Sequence, residues 1–211
     1  MNGKMIVFDG NSILNRAYYG VRPLNTKDGF PTNALFGFVN ILQKNLAPGY
    51  DYAAIAYDLR EKTFRHIRCD TYKATRRPMP EDLAKQLPVS KEIAELMGLH
   101  VLTAAGFEAD DILGTLSRIA KENDVECVIV TGDRDSYQLV CDGVTVHLAA
   151  NNETRIIDTK AIDEMYGLTP SQLIDLKAVM GDSSDNISGV PGIGEKGALE
   201  LMHQYTHIST K

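Results

Sequence analysis

Short apolar runs alternate with amphipathic segments along the first 160 residues of this chain. The runs end in polar turns, which is typical of buried strands, and they cover residues 4–8, 52–57, 100–103, 127–130 and 144–148. Between them, apolar residues recur at helical spacing over about 12–19, 33–42, 81–97 and 109–122, with Pro88 expected to kink or break the third helix. This alternation predicts an α/β fold: a mainly parallel, twisted sheet with helices on both faces.

The pattern changes near residue 160 to helices alone. Residues 154–157 are predicted to form a small hairpin with the preceding strand. Beyond them, Leu173, Leu176 and Val179 share a helical face, and a tight turn at 189–194 leads into a helix at about 195–204. We therefore expect an α/β core in residues 1–160 and a helical module in residues 161–211.

Acidic residues follow the apolar runs where parallel strands would end. A single aspartate there is an ordinary cap or solvated turn. Several carboxylates at one sheet edge repel each other unless protons or divalent cations neutralise them, and two cations about 4 Å apart assist phosphodiester cleavage. The sequence therefore predicts a magnesium or manganese site for phosphate chemistry, with nine candidate ligands: Asp9, Asp58, Glu108, Asp110, Asp111, Asp133, Asp135, Asp182 and Asp185.

Composition changes this picture mainly through the distribution of charge. The chain has 211 residues, 44% of them hydrophobic, and no apolar run near the ~20 residues of a membrane span. Its net charge is −6, so the chain without the nine candidate ligands carries +3, which is compatible with a nucleic-acid substrate. The three cysteines lack metal-site spacing, so we expect reduced thiols and a cytoplasmic location.

Residues 60–77 form a basic segment, with seven basic and two acidic residues in a chain that is acidic elsewhere. Basic side chains beside a tyrosine suit a phosphate backbone with a base or sugar stacked on the ring. A solvated, charge-rich helix would have the same composition. The candidates for DNA contact in this segment are Arg65, Tyr72, Lys73, Arg76 and Arg77.

The glycine-rich turn offers a second phosphate contact. Gly192 and Gly194 can point backbone N–H groups outward, and Lys196 adds positive charge at the start of the next helix. Such an arrangement holds a phosphate without reading bases. A plain tight turn between two helices is the alternative.

Four segments are specific in combination: FEADDILGTL, VTGDRD, YKATRRPMPEDL and GDSSDNISGVPGIGEK. They resemble the 5′ nuclease domain at the N-terminus of bacterial DNA polymerase I and the wider flap endonuclease family, over about residues 4 to 205. The resemblance implies a PIN-like 5′ nuclease fold with a basic arch segment at about residues 60–90 and a C-terminal helix–hairpin–helix module. We expect that module to be incomplete at its C-terminus, and Arg77 and Ser188 stand where the family commonly has proline.

The resemblance also implies an activity. This is 5′-3′ exonuclease and structure-specific 5′-flap endonuclease cleavage of DNA with 5′ flaps, 5′ ends or nicks, in replication and repair, leaving a 5′-phosphate and a 3′-hydroxyl. Tyr72, Lys73 and Arg76 match the family's phosphate-steering residues, and Arg16 matches an arginine that meets the cleaved strand. The first metal group maps onto Asp9, Asp58, Glu108, Asp110 and Asp111, and the second onto Asp133, Asp135, Asp182 and Asp185.

The implied partners are two or more Mg²⁺ or Mn²⁺ ions, a K⁺ ion at the helix–hairpin–helix, and a DNA polymerase. A monomer without membrane contact is expected. Two rival functions stay open. A phosphatase with a strand-end aspartate as nucleophile wants an acid two residues later, where this chain has Asn11. A truncated relic of the nuclease domain would bind branched DNA without cleaving it.

Overall fold

The computed structural model describes residues 2–149 and 154–205. Its main sheet has six strands in the order β3-β2-β1-β4-β5-β6. The first five strands are parallel, and β6 pairs antiparallel with β5, so the predicted parallel sheet and terminal hairpin are confirmed. The strands are β1 (Lys4–Asp9), β2 (Tyr52–Ala56), β3 (His100–Leu102), β4 (Glu126–Thr131), β5 (Val144–Ala149) and β6 (Thr154–Ile157).

Eight α-helices and one 3-10 helix fall within the described ranges. The 3-10 helix, α3 and α6 lie where the sequence pattern predicted no specific element. Of the kink or break predicted at Pro88, the break is wrong, because α4 continues through that residue, and the kink stays a prediction. The helices are α1 (Gly10–Gly20), α2 (Asn33–Leu46), α3 (Phe64–Arg68), α4 (Glu81–Leu96), α5 (Ala109–Glu122), the 3-10 helix (Arg134–Leu139), α6 (Thr159–Tyr166), α7 (Gln172–Met180) and α8 (Glu195–Gln204).

Both faces of the sheet are covered, as β1 shows. Val7 belongs to one hydrophobic cluster, whereas Ile6 and Phe8 belong to the other, and all three are fully buried. Burial of each such side chain contributes about 1.5–3 kcal/mol. Helices α1, α2 and α4 cover the Ile6 side, and α5 to α8 cover the Val7 side. The carboxyl ends of the parallel strands therefore meet at one well-supported edge.

The helical end of the chain packs on the same core as the sheet. Leu176 of α7 and Met202 of α8 belong to the hydrophobic cluster that contains Val7. Because the sheet and these helices share one cluster, packing does not test the domain boundary expected near residue 160, which stays a prediction. Of the helices in the described ranges, none is long and apolar enough to cross a bilayer.

A small two-stranded sheet, β7 (Gly181–Asp182) and β8 (Ile187–Ser188), connects α7 to the glycine-rich turn. The backbone crosses itself closely at this point. A Cβ added to Gly189 would lie 2.3 Å from the carbonyl carbon of Met180. Glycine is required there, and the crossing fixes where the turn and α8 begin.

Candidate active site

Two strand ends are joined through Asp9, the last residue of β1. Its Oδ1 accepts a hydrogen bond from the Ser12 N–H (2.9 Å) and so caps α1, and its Oδ2 accepts one from Thr131 Oγ1 (2.9 Å). Thr131 ends β4, and its hydroxyl also accepts a hydrogen bond from the Asp133 N–H (3.0 Å). One threonine therefore sets the spacing between the carboxylates that follow β1 and β4.

A second pair of contacts fixes Asp58, which follows β2. Its N–H donates to Asn11 Oδ1 (3.0 Å), and its Oδ1 accepts from the Ala109 N–H at the start of α5 (2.8 Å). The side chain of Asn11 therefore positions Asp58 by accepting a hydrogen bond from the backbone N–H of Asp58. The contact gives a structural reason for an amide at the place where a phosphatase would carry an acid.

Five of the nine predicted carboxylates line one cavity of about 400 Å³. Its other walls carry basic side chains from the basic segment, so acidic and basic groups face the same space. The carboxylates are Asp9, Asp58, Glu108, Asp110 and Asp133, and the basic side chains are Lys73, Arg76 and Arg77.

Burial, together with neighbouring like charges, raises the pKa values of two of these acids. Burial, reinforced by the charges of Asp58 and Asp133, raises the pKa of Asp9 to about 6, although hydrogen bonds to Asp9 oppose the shift. Burial and then the charges of Asp9, Asp133 and Asp58 raise the pKa of Asp110 to about 7. Both groups therefore ionise at a higher pH than an ordinary aspartate, and a nearby cation would lower their pKa values again.

Glu108, at the start of α5, is surrounded by donors. It accepts hydrogen bonds from Tyr72 Oη (2.8 Å) and Lys73 Nζ (2.6 Å). Arg65 makes two hydrogen bonds to Asp111, of 2.7 and 2.9 Å, and its Nη1 lies 3.4 Å from Glu108 Oε2. Burial would raise the pKa of Asp111, but the hydrogen bonds and charge of Arg65 outweigh it and lower that pKa. Arg65 therefore binds acids of the site in this conformation.

The remaining acids lie toward the helical end. Lys177 Nζ bridges Asp135 Oδ1 (2.9 Å) and Asp182 Oδ2 (2.7 Å). Partial burial opposes ionisation of Asp182, yet hydrogen bonds from Lys177 and Ser184 lower its pKa to about 2. Asp135, Asp182 and Asp185 line a neighbouring cavity of about 460 Å³. The second predicted group is therefore divided: Asp133 lines the first cavity, whereas Asp135 and Asp182 are paired with Lys177 and Asp185 with Arg76.

The donor set fits a hard divalent cation. The raised pKa values of Asp9 and Asp110 mean that the protein around them leaves their negative charge uncompensated. Mg²⁺ and Mn²⁺ prefer oxygen ligands of this kind. Within residues 2–149 and 154–205, no three carboxylate, histidine or cysteine side chains stand close enough to hold one ion as placed. The site is a concentration of oxygen donors rather than a preformed coordination shell.

Other predicted DNA contacts lie outside the carboxylate cavity. Arg16 lies against Gly132 and lines a separate cavity with Lys44. Gly192 and Gly194 are exposed, and an added Cβ at either meets nothing within 4 Å. Lys196 is also exposed, in the first turn of α8. The turn surface is therefore open to a ligand.

Sequence reasoning missed the residues that position the acids: Thr131, Asn11 and Lys177. Thr131 directly precedes the Gly-Asp-Arg-Asp motif, and Asn11 lies two residues after Asp9, so their closeness to the motifs was a usable signal. Lys177 lies on α7 and reaches Asp135 only through the packing of that helix. No local pattern indicates that contact.

Two family models together match nearly the whole chain. The model described as 5′-3′ exonuclease, N-terminal resolvase-like domain matches residues 4–167. The model described as 5′-3′ exonuclease, C-terminal SAM fold matches residues 168–210.

The most similar relatives include bacterial DNA polymerases I. That of Caldicellulosiruptor bescii is 40% identical over 210 residues, which is 97% of this chain and 25% of the polymerase. That of Chloroflexus aurantiacus is 42% identical over 212 residues, 97% of this chain and 22% of the polymerase. The chain thus spans about a quarter of the length of these relatives.

Solved structures of similar fold include nucleases bound to DNA. The bacteriophage T5 flap endonuclease, in a pseudo-enzyme–product complex with DNA and metal ions, has a TM-score of 0.78 and 22% identity, covering 97% of this chain and 76% of that one. The catalytic core of Rad2 with DNA substrate has a TM-score of 0.62 and 19% identity, covering 97% and 62%. At this identity the likeness concerns the fold, and it confirms the fold class predicted from the sequence.

Proposed function

Because the chain belongs to the 5′-3′ exonuclease family, we propose that it is a divalent-metal-dependent 5′-3′ exonuclease and structure-specific 5′-flap endonuclease. It hydrolyses DNA phosphodiesters at 5′ flaps, 5′ ends and nicks and leaves a 5′-phosphate and a 3′-hydroxyl. The observation that carries the proposal is the cavity in which Asp9, Asp58, Asp110 and Asp133 face Lys73 and Arg76. Cations and a phosphodiester together complement such a two-sided charge distribution.

The nine predicted carboxylates, five of which line the cavity, hold the cations in this proposal. Asp9, Asp58, Glu108, Asp110 and Asp111 form the first ligand group, and Asp133, Asp135, Asp182 and Asp185 form the second. When bound, two divalent ions neutralise charge on the phosphate oxygens and lower the pKa of an attacking water. We propose Mg²⁺ or Mn²⁺, since every ligand is a carboxylate.

The basic side chains bind and orient the scissile phosphate. Lys73, now hydrogen-bonded to Glu108, and Arg76, now paired with Asp185, exchange these partners for phosphate oxygens when substrate enters. Arg77 lines the same cavity. The ring of Tyr72 is 7% exposed and lies under the Lys73 ammonium group. We therefore assign Tyr72 to holding Glu108 and not to stacking on a nucleotide, which the sequence alone had suggested.

The open turn at Gly192–Gly194, with Lys196, binds the duplex backbone, and a K⁺ ion there is part of the proposal. Arg16 contacts the cleaved strand beside Gly132. Since the similar relatives are polymerases four times as long, we also propose that the nuclease acts with a DNA polymerase. We further propose that this chain is a monomer.

A gel assay on a 5′-labelled flap oligonucleotide, with and without Mg²⁺, tests the function. We expect cleavage near the flap base only with the metal ion. Asp133→Asn should lower the rate by about 10²–10³-fold, because a bound metal supplies several kcal/mol of transition-state stabilisation. Asp142→Asn, which changes an exposed acid outside the carboxylate cavity, is the matched control and should cleave normally.

The same assay separates the rivals. Flap binding without cleavage in either Mg²⁺ or Mn²⁺ would identify a non-catalytic branched-DNA binder. Turnover of a small phosphomonoester in the absence of DNA would identify a phosphatase.

A further inference from the structure

Next to the carboxylate cavity, the surface carries an aromatic patch that the proposed chemistry does not use. Phe107 directly precedes Glu108, and 50% of its surface is exposed. Its ring packs on Phe64, with the ring centroids 5.6 Å apart and the planes inclined by 56°. Ile67, which shares a face of α3 with Phe64, is 76% exposed. We call Phe64, Ile67, Arg68 and Phe107 the Phe107 platform.

The backbone holds Phe107 in its exposed position. The Phe64 N–H donates to the Gly106 carbonyl (2.9 Å), and the Phe107 N–H donates to the Ala104 carbonyl (3.2 Å). Gly106 has a φ of +79°, a left-handed conformation that glycine adopts without steric cost. The turn before Glu108 is therefore tied to the start of α3. The ring is presented by a fixed turn and not by a loose loop.

Two arginines lie over the Phe64 ring of the platform. The guanidinium carbons of Arg65 and Arg68 lie 4.6 and 5.5 Å from the centroid of the Phe64 ring. Arg65 is fixed by its two hydrogen bonds to Asp111, whereas Arg68 is exposed. Arg60 and Lys62, just before α3, are exposed as well.

This combination selects one kind of ligand. A lone exposed phenylalanine is ordinary on a protein surface. A half-exposed ring with an exposed arginine beside it complements a chain that alternates flat bases with phosphates. Duplex DNA does not offer its base faces, because they are stacked inside the helix. Unpaired DNA does offer them.

We propose that the Phe107 platform binds an unpaired base of the 5′ strand by stacking on Phe107, while Arg68 contacts a neighbouring phosphate. The inference rests on the proposed nuclease function and extends it, since it assigns a recognition site for the single-stranded part of the substrate. The platform adjoins Glu108, so a base held there lies at the margin of the cavity that takes the scissile phosphate.

The absence of tryptophan from the chain makes a direct test possible. Phe107→Trp introduces a single indole, whose fluorescence is quenched when a base stacks on it. Titrations in EDTA prevent metal-dependent cleavage. We expect quenching by a 5′-flap oligonucleotide, none by a blunt duplex, and none by a flap built of abasic units, which keeps the phosphates and removes the bases.

Two controls complete the test. Ile156→Trp places the indole at a similarly exposed position on β6, at the opposite edge of the sheet, and should not respond. By anisotropy, Phe107→Ala should bind the flap about tenfold more weakly, within the range of a base–aromatic stack, whereas Phe107→Tyr should bind like the parent.

The proposal is overturned if the normal and the abasic flap quench equally, or if Phe107→Ala binds the flap as tightly as the parent. Either result would indicate that the Phe107 platform contacts a protein partner instead of a base. Mg²⁺-dependent cleavage by the parent chain is read separately. A failed platform with normal cleavage and a failed nuclease are therefore distinguishable.

Discussion

Asp9 and Asp110 couple metal binding to pH. Their pKa values, raised to about 6 and about 7, lie above the ~3.9 of an unfolded aspartate. Between about pH 4 and pH 7 the folded chain thus binds more protons than the unfolded chain, and stability from these groups is lost as pH rises. Asp182 titrates near 2, so the stability that it contributes is present across that window and changes little within it. Divalent cations bind the ionised carboxylates, so they stabilise the folded chain most at a pH above the pKa values of Asp9 and Asp110.

We therefore expect Mg²⁺ to raise the unfolding temperature more at pH 8 than at pH 5.5, measured by thermal unfolding against EDTA. Asp110→Asn should be more stable than the parent in EDTA at pH 8, more stable by a smaller margin at pH 5.5, and less responsive to Mg²⁺. Burial lowers the pKa of His147, so this residue makes the folded protein more stable as pH rises. The effect is the same in the parent and in Asp110→Asn, and it cancels when the two are compared. An equal Mg²⁺ effect at both pH values would contradict the ligand role of Asp110.

At this scale the sequence predicted which acids lie at the ends of strands but not how side chains pair. A carboxylate after an apolar run indicates a strand-end acid, so Asp9, Asp58 and Asp133 were predictable. The pairing of Arg65 with Asp111 and of Lys177 with Asp135 depends on where α3 and α7 pack, which no local pattern contains. From its charge Arg65 was predicted to contact DNA. In the folded chain it pairs with the carboxylate of Asp111.

At the scale of elements, the turn after α3 is tied to the loop after β7. Asn186 Nδ2 donates to the Thr71 carbonyl (2.7 Å), and the Lys73 N–H donates to the Asp185 carbonyl (2.8 Å). Asn186 and Lys73 both have left-handed φ values, +57° and +55°, which are uncommon for residues other than glycine. Asparagine tolerates this conformation better than most residues. The contacts connect the loop of Asp182 and Asp185 to Lys73.

Loss of the Asn186 amide should loosen this connection. Asn186→Gly removes the hydrogen bond while keeping the left-handed backbone. We expect tryptic cleavage after Lys73 or Arg76 to become about fivefold faster, as the loss of about 1 kcal/mol predicts. Flap cleavage should slow as well. Asn123→Ala, which also removes an asparagine-to-carbonyl hydrogen bond, is the matched control and should leave both rates unchanged. Unchanged proteolysis in Asn186→Gly would mean that the two segments are held by other contacts.

The elements with strong periodicity were predictable from the sequence, and the short ones were not. Helix α5 and strands β1 and β4 lie close to the ranges predicted from their apolar patterns. Helix α3 has five residues and no buried side chain, so neither periodicity nor length marks it. Its start is capped locally by Thr63 and His66 and is also held by the hydrogen bond from the Phe64 N–H to the Gly106 carbonyl, which is distant in sequence. The basic segment is therefore the part of the site whose shape only the fold reveals.

At the scale of the whole molecule, net charge opposes the proposed substrate. The chain carries −6, and the acids concentrated at the sheet edge repel the phosphates that must approach them. For an ordinary basic DNA-binding surface, added divalent cations compete for phosphate and weaken binding. Here the same cations would neutralise Asp9, Asp58, Asp110 and Asp133 beside Lys73 and Arg76, so the sign of the effect should reverse.

We therefore expect Ca²⁺, added at constant ionic strength, to strengthen binding of a 5′-flap oligonucleotide, as measured by fluorescence anisotropy. The double variant Asp9→Asn/Asp133→Asn removes two of the repelling charges, so it should bind the flap more tightly than the parent in EDTA and gain less from Ca²⁺. A parent affinity that falls with Ca²⁺, as for a simple basic surface, would show that DNA binds away from the carboxylates. The cavity would then no longer explain where the phosphodiester is held.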